Sequence, residues 1–138
     1  MNAYLDSSVL LRIVLGQPDS LKEWPRIARG VTSALAEVEC LRTLDRLRAS
    51  QRVRDDEIAS RREAIFRLME SMEVVGLSGS VLSRASQPMP TMLGTLDALH
   101  LATALLWRER SGTGLVVATH DGALATAARA SGFRVMGV

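Results

Sequence analysis

The chain is 138 residues long and 47% hydrophobic, with 17 basic and 15 acidic residues and a formal charge of +2. That length fits one domain burying roughly two-thirds of its unfolded surface, and no uninterrupted apolar run is long enough to cross a bilayer. Cys40 is the only cysteine, which excludes an internal disulfide framework.

Asn2–Asp6 reads as a first strand. Asp6 interrupts the N-terminal apolar run too early for a signal peptide, so a cytoplasmic protein is expected. Ser7–Leu15 follows as a helix closed by Gly16, a common helix stop. Pro18 and Pro25 bracket a short, less regular helical piece containing Trp24. Val31-Thr32 is a minimal strand before a helix from about Ser33 to Ser50. There Leu35, Val38, Leu41, Leu44 and Leu47 recur every third residue and mark an expected buried stripe. Cys40 lies among these positions and is expected as a buried small hydrophobe.

Asp55 or Asp56 is placed to cap a helix running to about Met72, with Ile58, Ile65, Leu68, Met69 and Met72 on one face. The two helices between Ser33 and Met72 read as an antiparallel hairpin projecting from a sheet. Glu73–Leu77 is a third strand and Ser80–Ser86 a short helix, after which Pro88 and Pro90 enforce a loop. Thr95 is the expected cap of a strongly apolar helix, Leu96–Arg110, ended by Ser111-Gly112. Leu115–Ala118 is short, apolar and valine-rich, as buried parallel strands are. A helix over Gly122–Ala130 and a strand over Arg134–Gly137 complete the chain. This alternation predicts an α/β fold, a small, mainly parallel sheet with helices on both faces, forming one domain over residues 1–138.

Four acids fall where such a fold can gather them. Asp6 and Asp121 each follow a strand, and Glu39 and Asp97 each lie in the first turns of a helix. The carboxyl ends of parallel strands share one edge, where ligands bind. Carboxylates converging there must protonate or share a cation, and oxygen donors suit Mg²⁺ or Mn²⁺ better than zinc. Each acid also has a plainer reading: Asp6 and Asp121 as helix caps, Asp97 as a favourable charge at a helix start. Glu37 and Glu39 differ by about 200° around one helix, so only one can face the site, and periodicity does not choose between them.

The basic residues are sixteen Arg and one Lys. Arginine forks match phosphate geometry, although a codon preference would give the same imbalance. Arg42, Arg46, Arg48, Arg52, Arg54, Arg61, Arg62 and Arg67 crowd the predicted hairpin, where five acids reduce their net charge to +3. A solvated helical surface and a nucleic-acid-facing surface both fit this pattern.

The runs Tyr4–Leu11, Thr32–Arg42, Leu96–Ala104 and Ala118–Leu124 resemble the motif blocks of PIN-domain nucleases, and most of all the VapC-type toxins of bacterial toxin–antitoxin pairs. In that family the second block carries a Ser, an acid six residues on and an Arg three further. Ser33, Glu39 and Arg42 match that spacing, so the resemblance selects Glu39 over Glu37. Asp97, in Leu96-Asp97-Ala98-Leu99-His100, and Asp121, in Thr119-His120-Asp121, match the third and fourth acids. Some relatives carry one more acid after the fourth. Here Gly122 and Ala123 follow, and one or two metal ions both stay open.

The resemblance implies a PIN-like three-layer α/β/α fold and a Mg²⁺- or Mn²⁺-dependent endoribonuclease that cleaves RNA by metal-activated water. It implies Asp6, Glu39, Asp97 and Asp121 as catalytic and metal residues; Ser8, Ser33 and Thr119 fit two roles equally, hydrogen bonds to these carboxylates and simple capping. It also implies a VapB-type antitoxin whose C-terminal segment wraps the toxin and can place an Arg in the acidic pocket, and homodimers within that complex. The apolar faces of Leu35–Leu47 and Ile58–Met72 are the expected groove for the antitoxin helix. His100 reads best as a satisfied core histidine, while His120 has no assigned role. Arg12 and Arg42 are candidate phosphate contacts.

Other phosphate chemistries fail on single residues. A haloacid-dehalogenase-type phosphatase wants an Asp at position 8, which is Ser8, and a receiver domain wants a late Lys, whereas Lys22 is the only one. Gly76-Leu77-Ser78-Gly79 is neither a Walker loop nor a dinucleotide fingerprint. A PIN-fold binding module without catalysis and a DNA-directed nuclease of the same fold are the remaining alternatives.

Overall fold

The structure, a computed structural model, describes residues 1–51 and 53–138; Arg52, one of the hairpin arginines, lies outside the described residues. Five strands form one wholly parallel sheet: β1 (Asn2–Leu5), β2 (Arg29–Ser33), β3 (Glu73–Val75), β4 (Val116–Ala118) and β5 (Arg134–Met136). Their spatial order is β3-β2-β1-β4-β5. The chain therefore winds outward from β1 in one direction and then returns to place β4 on its other side. In open parallel sheets that reversal opens a crevice at the carboxyl ends of the two central strands.

Side chains alternate across β1, as the two-residue period of a strand requires. Ala3 and Leu5 join a core with Val9 and Leu10 of α1 (Ser7–Val14), Ala36, Cys40 and Leu44 of α2 (Ala34–Gln51), and Ile65 and Met69 of α3 (Asp55–Glu70). Tyr4 faces the opposite core, with Leu101, Leu105 and Trp107 of α5 (Thr95–Ser111) and Leu124, Ala127 and Ala128 of α6 (Gly122–Ala130). The result is the expected three-layer α/β/α arrangement, with α4 (Gly79–Ala85) packed on α5. Among the described residues, no helix is long and apolar enough to cross a membrane.

Helix and strand positions follow the sequence reading to within about two residues, but several details differ. Val38, expected in the buried stripe of α2, is 57% exposed. A three-residue repeat drifts around a helix of 3.6 residues per turn, and the buried line instead follows Ala36, Cys40 and Leu44. Thr95 is the first helical residue of α5, and Gly94 occupies the cap position. Neither Asp55 nor Asp56 caps α3. Its cap position is Arg54, whose guanidinium holds Asp56 at 2.6 and 3.0 Å.

The hairpin of α2 and α3 packs on α1, and Arg61 Nη1 donates to the carbonyl of Val14 at 2.6 Å. Ile58 and Met69 are buried, and Ile65 is only 2% exposed. The apolar face of α3 is therefore core, which overturns its expected use as half of an antitoxin groove. Cys40 is buried as expected. Burial, together with the charges of Glu39 and Asp6, pushes its thiol up to about 12.

Candidate active site

Asp6 stands immediately after β1, at the N-cap of α1, where it is only 4% exposed. Its burial is compensated by three donors. Ser8 Oγ reaches Oδ1 at 2.6 Å, the Val9 amide reaches the same oxygen at 3.3 Å, and Thr119 Oγ1 reaches Oδ2 at 2.7 Å. Capping and site membership are thus compatible: the cap fixes the carboxylate at the carboxyl end of β1. Thr119, just past β4, also accepts from the Asp121 amide at 3.0 Å. Ser8 accepts from the His120 amide at 2.9 Å. These bonds stitch the ends of the two central strands together, so Asp6 and Asp121 share one edge.

Asp121 caps α6, with Oδ1 accepting from the Leu124 amide at 2.9 Å. Asp97 lies in the first turn of α5, where the helix field favours a carboxylate. Its pKa is nonetheless raised, first by burial and then by the charge of Asp121, with Asp6 and Glu39 adding to the rise and His100 opposing it. All three other acids therefore act on Asp97, and Glu37 is not among the charges that do. Glu39 Oε1 lies 2.5 Å from His100 Nε2, and His100 Nδ1 lies 2.7 Å from the Tyr4 hydroxyl. Burial and the Asp6 charge hold that phenol well above its usual value.

The supporting hydroxyls divide. Ser8 and Thr119 bond Asp6 directly, whereas Ser33 Oγ accepts from the Leu35 amide and serves the start of α2. Arg12 pairs with Asp19 at 2.9 Å and Arg42 with Asp45 at 3.3 Å, and neither of these partners is one of the four acids. His120 Nδ1 bonds the Gly137 carbonyl at 2.7 Å. His100 is a satisfied core histidine, as expected. One of its two partners, however, is an acid of the cluster. No local signal reveals the link, because the contacts span 61 and 96 residues of chain.

Four carboxylates, three of which raise the pKa of Asp97, make a donor set that fits a hard divalent cation. Among the described residues, no three carboxylate, imidazole or thiol groups already stand in a metal-holding arrangement. A groove of about 830 Å³ lies between α4 and α5 and is lined by Leu82, Met89, Leu93 and Leu99. None of the four acids lines it.

Gly137 secures the edge from the C-terminal side. Its φ is +100°, and a Cβ there would collide with the Thr119 carbonyl oxygen. Gly137→Ala is therefore expected to cost about 1–3 kcal/mol in backbone strain and to displace Thr119 from Asp6. Thermal unfolding checks the first effect, and loss of any divalent-cation-induced stabilisation checks the second.

Comparison with known proteins agrees with this fold. The PIN domain family matches residues 3–130. Ribonuclease VapC46 of Mycobacterium tuberculosis is 33% identical over 137 residues, covering 96% of this chain and 95% of the relative. A toxin–antitoxin complex from Klebsiella pneumoniae superposes with a TM-score of 0.68 at 15% identity, covering 97% of this chain and 95% of its own. The structure of FitAB bound to a DNA fragment gives a TM-score of 0.72 at 15% identity, covering 97% and 93%. The chain belongs to the PIN-domain family, in its VapC-type branch.

Proposed function

We propose that the chain is a divalent-metal-dependent endoribonuclease and the toxin of a toxin–antitoxin pair. The observation that carries this reading is the convergence of charge on Asp97, whose pKa is raised by burial and by Asp121, Asp6 and Glu39. Three acids from other elements that raise the pKa of a fourth are costly to that acid's charge unless a cation is shared. Asp6, Glu39, Asp97 and Asp121 would hold Mg²⁺ or Mn²⁺. When bound, that ion supplies the Lewis acidity that activates water and offsets charge on a phosphodiester.

The protein's own residues prepare the site. Ser8 and Thr119 donate to both oxygens of Asp6, which keeps it oriented although buried. The first turn of α5 favours charge on Asp97, so that a bound cation and the helix field act together. Asp121 spends Oδ1 on its own helix and can turn the other oxygen to the crevice. The relative's name, ribonuclease VapC46, supports RNA as the substrate.

Among the structural neighbours is a toxin–antitoxin complex, which supports an antitoxin partner for this chain; a homodimer within that assembly is part of the same proposal. The same acids that would hold a cation would also accept an antitoxin guanidinium.

The test is cleavage of single-stranded RNA and matched DNA by the purified chain, with Mg²⁺ or Mn²⁺ and with chelator. RNA cleavage that requires the ion and falls at least about a hundredfold in Asp6→Asn is expected, since even supporting residues of a metal site are worth about 10–100-fold. Cleavage that persists in chelator and in Asp6→Asn overturns the four-acid mechanism. Preference for DNA would overturn the substrate assignment.

A further inference from the structure

Behind Glu39 runs a buried chain of hydrogen bonds. The Tyr4 hydroxyl, from β1, is 2.7 Å from Nδ1 of His100 on α5, and Nε2 of His100 is 2.5 Å from Oε1 of Glu39 on α2. The Tyr4 and His100 rings meet edge to face, with centroids 5.9 Å apart. His100 is 2% exposed, so its ring nitrogens depend on these two partners. The chain thus joins three elements, from Tyr4 on β1 through His100 on α5 to Glu39 on α2.

We propose that Tyr4 and His100 are positioning residues that hold Glu39 at the site, tying its Oε1 and leaving Oε2 for a divalent cation. Glutamate has three side-chain torsions, and Glu39 faces the like charge of Asp97. Without a tether it would relax towards solvent. The tether reaches through the core to the central strand that ends in Asp6. It thereby links the second acid to the first through rigid structure, whereas Ser8 and Thr119 make the equivalent link between Asp6 and Asp121. Partners behind metal ligands typically control 10–100-fold in metal affinity. The inference rests on the metal-dependent reading above.

The experiment measures Mn²⁺ affinity of the purified full chain by electron paramagnetic resonance of free Mn²⁺, with thermal unfolding recorded in parallel. Tyr4→Phe, His100→Gln and His100→Leu are each compared alone and combined with Glu39→Ala. Tyr4→Phe is expected to weaken Mn²⁺ binding several-fold and His100→Leu about 10–100-fold, with His100→Gln, which keeps a donor, recovering part of the loss. In the Glu39→Ala background none of the three should weaken binding further. Unchanged affinity in Tyr4→Phe and His100→Leu overturns the proposal. So does an equal loss with Glu39 already removed, because the effect would then travel through the core.

Nitrogen-15 NMR of the unmodified chain gives an independent reading that no folding defect can obscure. Hydrogen bonds at both Nδ1 and Nε2 of His100 are expected, and a ring nitrogen free of any hydrogen bond overturns the proposal. If the unmodified protein binds Mn²⁺ and the variants are unaltered, only this inference falls. If it binds none, the metal-dependent reading falls with it.

Discussion

Asp97→Asn is expected to abolish metal-dependent RNA cleavage while raising the melting temperature of the metal-free chain. Asp97 pays for its place in the cluster: burial, Asp121, Asp6 and Glu39 all raise its pKa against the opposing effect of His100. A carboxyl group whose folded pKa lies above its unfolded value contributes most to stability at low pH. That contribution is lost as pH rises through the folded value. At neutral pH the ionised Asp97 therefore destabilises the metal-free fold, and asparagine, nearly the same shape and uncharged, relieves the repulsion.

The stability difference between the two proteins should be largest at neutral pH in chelator. It should close as pH falls below about 4, where the carboxylate of the unfolded chain also protonates. Saturating Mn²⁺ should reverse the order, since a ligand at a hundred times its Kd stabilises the folded state by about 2.7 kcal/mol. Thermal melts at several pH values, with chelator and with Mn²⁺, check each part. An Asp97→Asn chain that is less stable than the original in chelator at neutral pH would contradict the charge balance described for the site.

Ile65→Ala is expected to produce the largest loss of stability outside the site. Ile65 is 2% exposed and belongs to the core shared by β1, α1, α2 and α3. Truncation of such a side chain costs about 2–5 kcal/mol, because the cavity left behind collapses only in part. Urea unfolding should show a lower midpoint with an unchanged slope. Phe66, the next residue, is among the exposed large hydrophobics, and Phe66→Ala should stay within about 0.5 kcal/mol of the original protein. Loss of antitoxin binding in Ile65→Ala should accordingly track the unfolded fraction. A variant that keeps its full stability and loses only the partner would restore the face of α3 as a docking surface.

The contrast between Ile65 and Val38 shows where reading the chain succeeds and where it stops. Both are apolar residues on apolar helical patterns. The spacing of Ile58, Ile65 and Met69 does name a buried face of α3, yet nothing in it tells whether the cover is α1 or another protein. Val38 fits a three-residue repeat with its leucine neighbours, but that repeat precesses around the helix and leaves Val38 exposed. The acids divide similarly. Asp6 and Asp121 are legible from strand ends, and Asp97 from a helix start. Glu39 was separable from Glu37 only by family spacing, because two flanking positions on one helix look alike until α5 is placed against them.

Local chemistry along the chain thus decided the alternation of strand and helix, the wholly apolar β4, the helix-start acids and the hydroxyls beside them. These depend on residues within a turn or two of one another, whose preferences act before any tertiary contact forms. Tertiary structure decided the rest. It set the strand order that brings Asp6 beside Asp121, the covering of α3 by α1, and the buried link from Tyr4 through His100 to Glu39. Those features join residues far apart in the chain, and packing selects their partners by shape, burial and the need of each buried polar atom for a mate.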